Sequence, residues 1–401
     1  MTAVRRVVFA AFVVGLGLSI TLSESALAVL TALWLWRLRD PAVRRGQAWP
    51  LAIPVLAFTA ATLLSAVASG AAGTSVSFSK GLLLMTALYV TADHLAGATE
   101  AERFLTVLSA VVVVAAVIGL LQVSLCPVSY AATGTPAWLY HKCHRARGTF
   151  SIYMTLAGVL MLTLLATLPR LLPGFRPQRW FAPVWLLTLA GLVATFTRGA
   201  WIGFGAGVLA LLPGSRHGRI ALVAGLVVLT LAFLAGPAAV RQRFLSMSDP
   251  EEATVKERRY MWESGIAMWR AHPWLGLGPG GVKREYARFA LPEARKQRTG
   301  HVHNTPLQIL VERGVLGLAA WIWIWAAFYV EAVRAIRRLP PDDVGARRLV
   351  LGSAAAITGF LVNGLSEYNF GDSEVALVAW TLVALPWVVG RPRAVSAPGA
   401  V

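Results

Sequence analysis

The 401 residues are 57% hydrophobic and only 14% charged, with a mean hydropathy of +0.63, which excludes an ordinary soluble domain of that length. Apolar runs of roughly 20 residues recur along the whole chain, the pattern of a polytopic membrane protein. The formal charge of +18 falls in short basic clusters between apolar spans, so it reads as a topology signal and not as a nucleic-acid-binding face.

The N-terminus opens like a signal peptide, with Arg5, Arg6, an apolar run and Ala26-Leu27-Ala28 where a cleavage site would stand. The apolar character continues to Trp36, and one helix from Val7 would be about 45 Å long against about 30 Å of hydrocarbon. An uncleaved hairpin breaking near Ser23–Ser25 is expected instead. Further spans are expected near 51–70, 79–97, 104–125, 149–168, 181–196, 199–213, 219–236, 305–334, 348–366 and 373–390. The fold class is therefore an all-α membrane protein of about twelve transmembrane helices.

Arg37, Arg39, Arg44 and Arg45, then Arg170, Arg176 and Arg179, then Arg216 and Arg219, then Arg334, Arg337, Arg338, Arg347 and Arg348, and last Arg391 and Arg393, all fall on one side. That side is expected to be cytoplasmic. The organisation that follows is residues 1–236 as nine spans with a small outer loop at 126–148, residues 237–304 as a large outer loop, and 305–401 as three spans and a cytoplasmic tail.

Cys126 and Cys143 are the two cysteines of the chain and both lie in the 126–148 loop. In an oxidising compartment they are expected to close it as a disulfide. A zinc site using His141, Cys143 and His144 is the rival, disfavoured because one distant cysteine does not give a finger or ribbon spacing.

The stretch from Trp180 to Pro213 is too long for one span, so the chain must turn near Thr197-Arg198-Gly199. Arg198 then sits at the outer boundary in an otherwise uncharged hairpin, a functional candidate by default, with snorkelling to lipid phosphates as the bland alternative. Arg147, opening the earlier span at "RGTFSIYM", has the same placement and a weaker case, because arginines commonly flank helix ends. The loop 237–304 carries twelve Lys/Arg and seven Asp/Glu. Its acidic Asp249-Pro250-Glu251-Glu252 start and the stripe Tyr260, Met261, Ile266, Met268, Trp269 predict an amphipathic helix containing Arg258 and Arg259. "HPWLGLGPGG" ends it, without the strand and lysine of a nucleotide loop.

The outer side thus gathers Arg147, Arg198, Arg258, Arg259, His301, His303, Asn304 and Glu367. Arginine suits phosphate oxygens through its planar fork and permanent charge, and an imidazole can take a proton near neutrality. Cations and imidazole at a membrane boundary suit a lipid-linked pyrophosphate under attack by a hydroxyl, with cationic stabilisation of the leaving group in place of a metal. A flippase would need charge along a path through the membrane, and the mid-span positions are nearly free of it.

His303-Asn304, nine residues, Gly314, two residues and Gly317 resemble the H-[NSQ]-x9-G-x-x-[GTY] pattern of the O-antigen ligase family, which shares its fold with O-antigen polymerases and protein O-oligosaccharyltransferases. "TRGAW" around Arg198 and "ERRYMW…HPWLGLGPGGV" around Arg258 are similar to that family's two arginine regions, so the likeness covers roughly residues 145–390. It implies a C-type, inverting, metal-independent glycosyltransferase without cofactor, moving glycan from undecaprenyl diphosphate to lipid A-core, another glycan or a protein hydroxyl at the periplasmic face of the bacterial inner membrane. The residues it implies are His303 as base and Arg198 and Arg258 as pyrophosphate clamps, with Arg147, Arg259, His301, Asn304 and Glu367 as further substrate-binding candidates. Arg258 is favoured over Arg259 because it lies four residues before Trp262, on the same side of a helix. Asn304 is also expected to cap the helix that follows, with Gly314 and Gly317 allowing close packing.

Overall fold

The computed structural model describes residues 2–125, 145–172, 179–212 and 252–390, with seven isolated positions between 220 and 245. The Cys126–Cys143 pair and nearly all of the span expected at 219–236 lie outside the described residues. Among the described residues every regular element is helical. The main ones are α1 (Thr2–Leu18), α2 (Ile20–Arg37), α3 (Ala52–Ala68), α4 (Ala72–Phe78), α5 (Thr86–His94), α6 (Ala98–Ser124), α7 (Tyr153–Thr167), α8 (Phe181–Ala194), α9 (Arg198–Leu209), α10 (Ala253–Ala271), α11 (Gly281–Phe289), α12 (Thr305–Arg338), α13 (Val344–Gly364) and α14 (Ser373–Val383).

The protein is a multi-pass α-helical membrane protein. Five described stretches are long and apolar enough to cross a bilayer: Ala72–His94, Ala98–Ser124, Tyr153–Leu171, Thr305–Arg338 and Val344–Gly364. Among the described residues, other apolar runs expected as spans form shorter helices. Ala52–Ala68 has 17 residues, Phe181–Ala194 has 14 and Arg198–Leu209 has 12. The run expected at 79–97 instead begins at Ala72 and passes through a 3-10 segment, Ser79–Met85, before α5.

An N-terminal hairpin forms, but it turns at Ser19 and not near Ser23–Ser25, which lie inside α2; Ser19 caps α2 by accepting from the Leu22 N–H. Arg5 at one end of the hairpin and Arg37 at the other both pair with Asp93 at the end of α5. At the same end of the bundle Arg170 pairs with Glu102. The centre is α7, in which every residue from Thr155 to Thr167 is buried. A helix apolar or small on all sides has no solvent face to offer and is enclosed by its neighbours, here α6, α8, α9, α13 and α14.

Helix α9 packs closely on α13. Gly199, Gly203 and Gly207 recur on one face of α9. A Cβ on each would come to 2.4 Å of Ser366 Oγ, 2.6 Å of the Gly359 carbonyl oxygen and 2.7 Å of the Ala355 carbonyl oxygen. Small residues at this spacing let two backbones approach. The crossing carries Arg198, at the end of α9, to the turn that follows α13.

Candidate active site

Arg198 is the first residue of α9, after Phe196 has turned the chain in the left-handed region at φ 51°. It is only 7% exposed, and its Nη2 lies 2.9 Å from Glu252 Oε2. Glu252 is the N-cap of α10, accepting from the Thr254 and Val255 N–H groups at 3.0 and 3.1 Å. Burial pushes the Glu252 carboxyl up, but the hydrogen bond and charge of Arg198, with the backbone N–H of Val255, outweigh it and hold the pKa at about 2. A depressed carboxyl pKa contributes stability that is complete above the unfolded value and is lost as pH falls toward the folded one. The melting-temperature difference between the parent and Glu252→Gln should therefore be constant above about pH 5 and shrink progressively toward pH 2. A difference that does not change across that range would contradict this ion pair.

Further along α10, Arg258 pairs with Glu367 Oε1. The neighbouring Arg259 points away, with its side chain 76% exposed and on Glu263 at 2.9 Å. Trp262, one turn beyond Arg258, donates from Nε1 to the Val302 carbonyl at 3.1 Å, which ties α10 to the segment carrying His303.

His303 has φ 51°, an uncommon conformation for a residue with a side chain. Its surroundings impose it. Asn304 caps α12 by accepting from Leu307 N at 2.9 Å and donates from Nδ2 to the Leu365 carbonyl at 2.9 Å. Thr305 Oγ1 lies 2.9 Å from the Glu367 carbonyl and 3.1 Å from Asn369 Oδ1. The start of α12 is thereby fastened to the turn 365–371, and His303 Nδ1 comes to 3.0 Å from Glu367 Oε2. Glu367 is buried and serves both Arg258 and His303, one carboxylate oxygen each.

These groups line one cleft of about 400 Å³, walled by Arg198, Arg258, His303 and Glu367 together with Arg145, Tyr153, Glu257, Arg295 and Lys296. Four of the eight candidates read from the sequence lie elsewhere. Arg147 donates to the Ser151 carbonyl at 3.4 Å and does not line the cleft. Arg259 faces outward, and Asn304 is occupied as a cap. His301 packs edge-on to His303, with ring centroids 4.3 Å apart, but lines a second cavity of about 620 Å³ with Tyr368, Glu312 and Arg313. Burial, and then the nearby His303, pushes the His301 pKa down to about 4.

Gly314 of the 303–317 motif has a more specific use than helix packing. Gly314 breaks α12 at φ 64°, and the "HPWLG" loop enters the break. Val315 N donates to the Pro273 carbonyl at 2.9 Å, and Leu277 N to the Val311 carbonyl at 3.0 Å. The Gly280 N–H is spent on Glu312 Oε1 at 2.9 Å. A Cβ at Gly314 would fall 2.1 Å from the Trp274 carbonyl oxygen. Gly314→Ala should thus lose about 3 kcal/mol or more of stability through the left-handed strain and the backbone clash together, seen as a large drop in melting temperature in detergent. Parent-like melting would refute the splice.

Residues 182–322 match the family model described as O-antigen ligase. That stretch contains Arg198, Arg258, His303 and the Gly314 break. Over that stretch the chain is similar to the O-antigen ligase family. The chain is 28% identical over 183 residues to the O-antigen ligase of Pseudomonas aeruginosa, covering 44% of this chain and 41% of that protein. It is also 26% identical over 210 residues to the exopolysaccharide production protein ExoQ of Rhizobium meliloti, covering 47% and 45%. The matched part thus spans less than half the length of either curated relative. Glu367 and Tyr153 lie beyond the O-antigen ligase segment, so the cleft is completed by elements outside it.

Proposed function

We propose that this cleft transfers glycan from an undecaprenyl diphosphate-linked donor to an acceptor hydroxyl at the periplasmic face of the bacterial inner membrane, with lipid A-core as acceptor. The observation that carries the reading is Glu367, shared between a phosphate-type arginine and a histidine in one cleft. Arg198 and Arg258 bind the diphosphate oxygens by paired N–H bonds. Glu367 accepts from the His303 Nδ1–H, which leaves Nε2 with its lone pair toward the cleft, the same division of labour by which a carboxylate orients a histidine base in hydrolases. His303 Nε2 takes the proton of the acceptor hydroxyl as its oxygen attacks the anomeric carbon. The new glycosidic bond forms as the bond from that carbon to the diphosphate oxygen breaks. The electron pair leaves on undecaprenyl diphosphate, where the arginines stabilise the charge. Attack opposite the leaving group inverts the anomeric centre.

The similarity to an exopolysaccharide production protein favours a second reading in which a growing glycan is the acceptor. The glycolipid profile of a deletion strain separates the two. Loss of all capped lipopolysaccharide with accumulation of long lipid-linked polymer supports transfer to lipid A-core, whereas single-repeat caps support polymerisation. An unchanged profile would remove both.

Arg198→Ala and Arg258→Ala should each weaken binding of undecaprenyl diphosphate by about tenfold or more, as expected for a lost charge-assisted hydrogen bond. Lysine should restore little of it, because a point charge lacks the fork. Full rescue by lysine in a titration of the purified variants would show that only net charge matters.

A further inference from the structure

The two clamp arginines do not supply net charge by themselves. Arg198 is matched by Glu252 and Arg258 by Glu367, so the quartet is formally neutral. A diphosphate diester entering it brings two negative charges, and cations elsewhere in the cleft must offset them. Arg145, Arg295 and Lys296 line it. Glu257, the one further carboxylate on the lining, holds the backbone N–H groups of Arg295 and Lys296 at 3.1 and 2.8 Å. Among the described residues the five lining cations thus stand against three carboxylates, Glu257 and Glu367 on the lining and Glu252 behind Arg198, a surplus that matches the diphosphate charge.

Of the three additional cations Arg145 is the one set in a fixed geometry. Its guanidinium lies 4.3 Å from the centroid of the Tyr153 ring, and Tyr153 lines the cleft beside it. Among the described residues no carboxylate pairs with Arg145. An arginine stacked on an aromatic face is held by the ring through its π surface, while its N–H donors lie in the guanidinium plane and remain directed outward. That arrangement pre-orients a fork for phosphate oxygens without neutralising its charge. Arg147 approaches the same ring from 5.9 Å and turns to the Ser151 carbonyl, outside the cleft. We infer that Arg145, shelved on Tyr153, is a third diphosphate-binding cation of this cleft and supplies charge that Arg198 and Arg258, each held by a carboxylate, lack.

The inference rests on the reading of the cleft as a diphosphate site, and the test separates the two. Binding of undecaprenyl diphosphate to the purified full chain in detergent is measured for the parent, Arg145→Ala, Arg145→Gln, Tyr153→Leu, Arg147→Ala and Arg288→Ala, each checked by melting temperature. Arg145→Ala and Arg145→Gln should lose about tenfold or more in affinity, as for a charge-assisted contact. Tyr153→Leu should lose less, because the cation stays while its shelf goes. Arg288, whose side chain is 78% exposed and on Glu285, controls for general loss of charge and should bind within about twofold of the parent. Parent-like affinity in both Arg145 variants overturns the inference while leaving the diphosphate reading standing, as does a loss seen with Arg147→Ala instead. A parent that does not bind undecaprenyl diphosphate overturns both.

Discussion

His303→Ala should lower glycan transfer by about 100-fold or more, the usual scale of a general base, while the purified variant binds undecaprenyl diphosphate and melts like the parent. The separation follows from where the contacts lie. The diphosphate is assigned to arginines on α9 and α10. His303 lies at the start of α12, where its backbone is fixed by the Asn304 cap and Thr305. Removing the imidazole leaves those fastenings intact. His301→Ala should be mild by comparison, since His301 lines the second cavity. Affinity lost in parallel with transfer would make His303 a binding group instead of a base. A dead His301→Ala beside an active His303→Ala would place the base on the wrong imidazole.

Glu367→Gln should also cost about 100-fold or more in transfer, through the orientation of the base. The carboxylate accepts from Arg258 and His303 together. An amide has a single acceptor oxygen, and its NH₂ end can bond to His303 Nδ1 only as a donor. That selects the tautomer with the proton on Nε2, where the attacking hydroxyl needs a lone pair. Binding should behave oppositely. Arg258 freed from an anionic partner attracts phosphate at least as well, so affinity for undecaprenyl diphosphate should hold or rise. Glu367→Asp should recover part of the transfer rate. If Glu367→Gln transfers like the parent, or loses affinity and rate together with a lowered melting temperature, Glu367 is a structural residue and the coupling to His303 is wrong.

Much of the site was legible because its chemistry is local in sequence. His303-Asn304 and the two glycines are one motif, and Arg198 stands out in a hairpin with no other charge. The stagger of a helix singled out Arg258 from Arg259 through Trp262. What was not legible depends on contacts between distant segments. Arg145 and Arg147 are two residues apart in an irregular stretch, and no periodicity says which faces the cleft. Glu252 reads as an ordinary acidic N-terminus until Arg198, 54 residues earlier, is found beside it. Nor does the sequence announce that one carboxylate serves Arg258 and His303, which are 109 and 64 residues from it. A signal was present for the frame. Gly199, Gly203 and Gly207 form a small-residue stripe that predicts a close crossing and could have placed Arg198 against a neighbouring helix end. Helix number is not read from apolar length alone, which does not reveal where a run splits into short packed helices.

The most direct measurement follows both products of one reaction. The purified chain is placed in proteoliposomes with a labelled undecaprenyl diphosphate-linked glycan and lipid A-core, and the glycosylated acceptor is counted against undecaprenyl diphosphate freed of sugar. Transfer in this cleft predicts one undecaprenyl diphosphate released for each glycan joined to the acceptor, with both products lost in His303→Ala. Labelled glycan that crosses the bilayer still attached to its lipid, with no diphosphate released, would contradict it and make the protein a carrier of lipid-linked glycan.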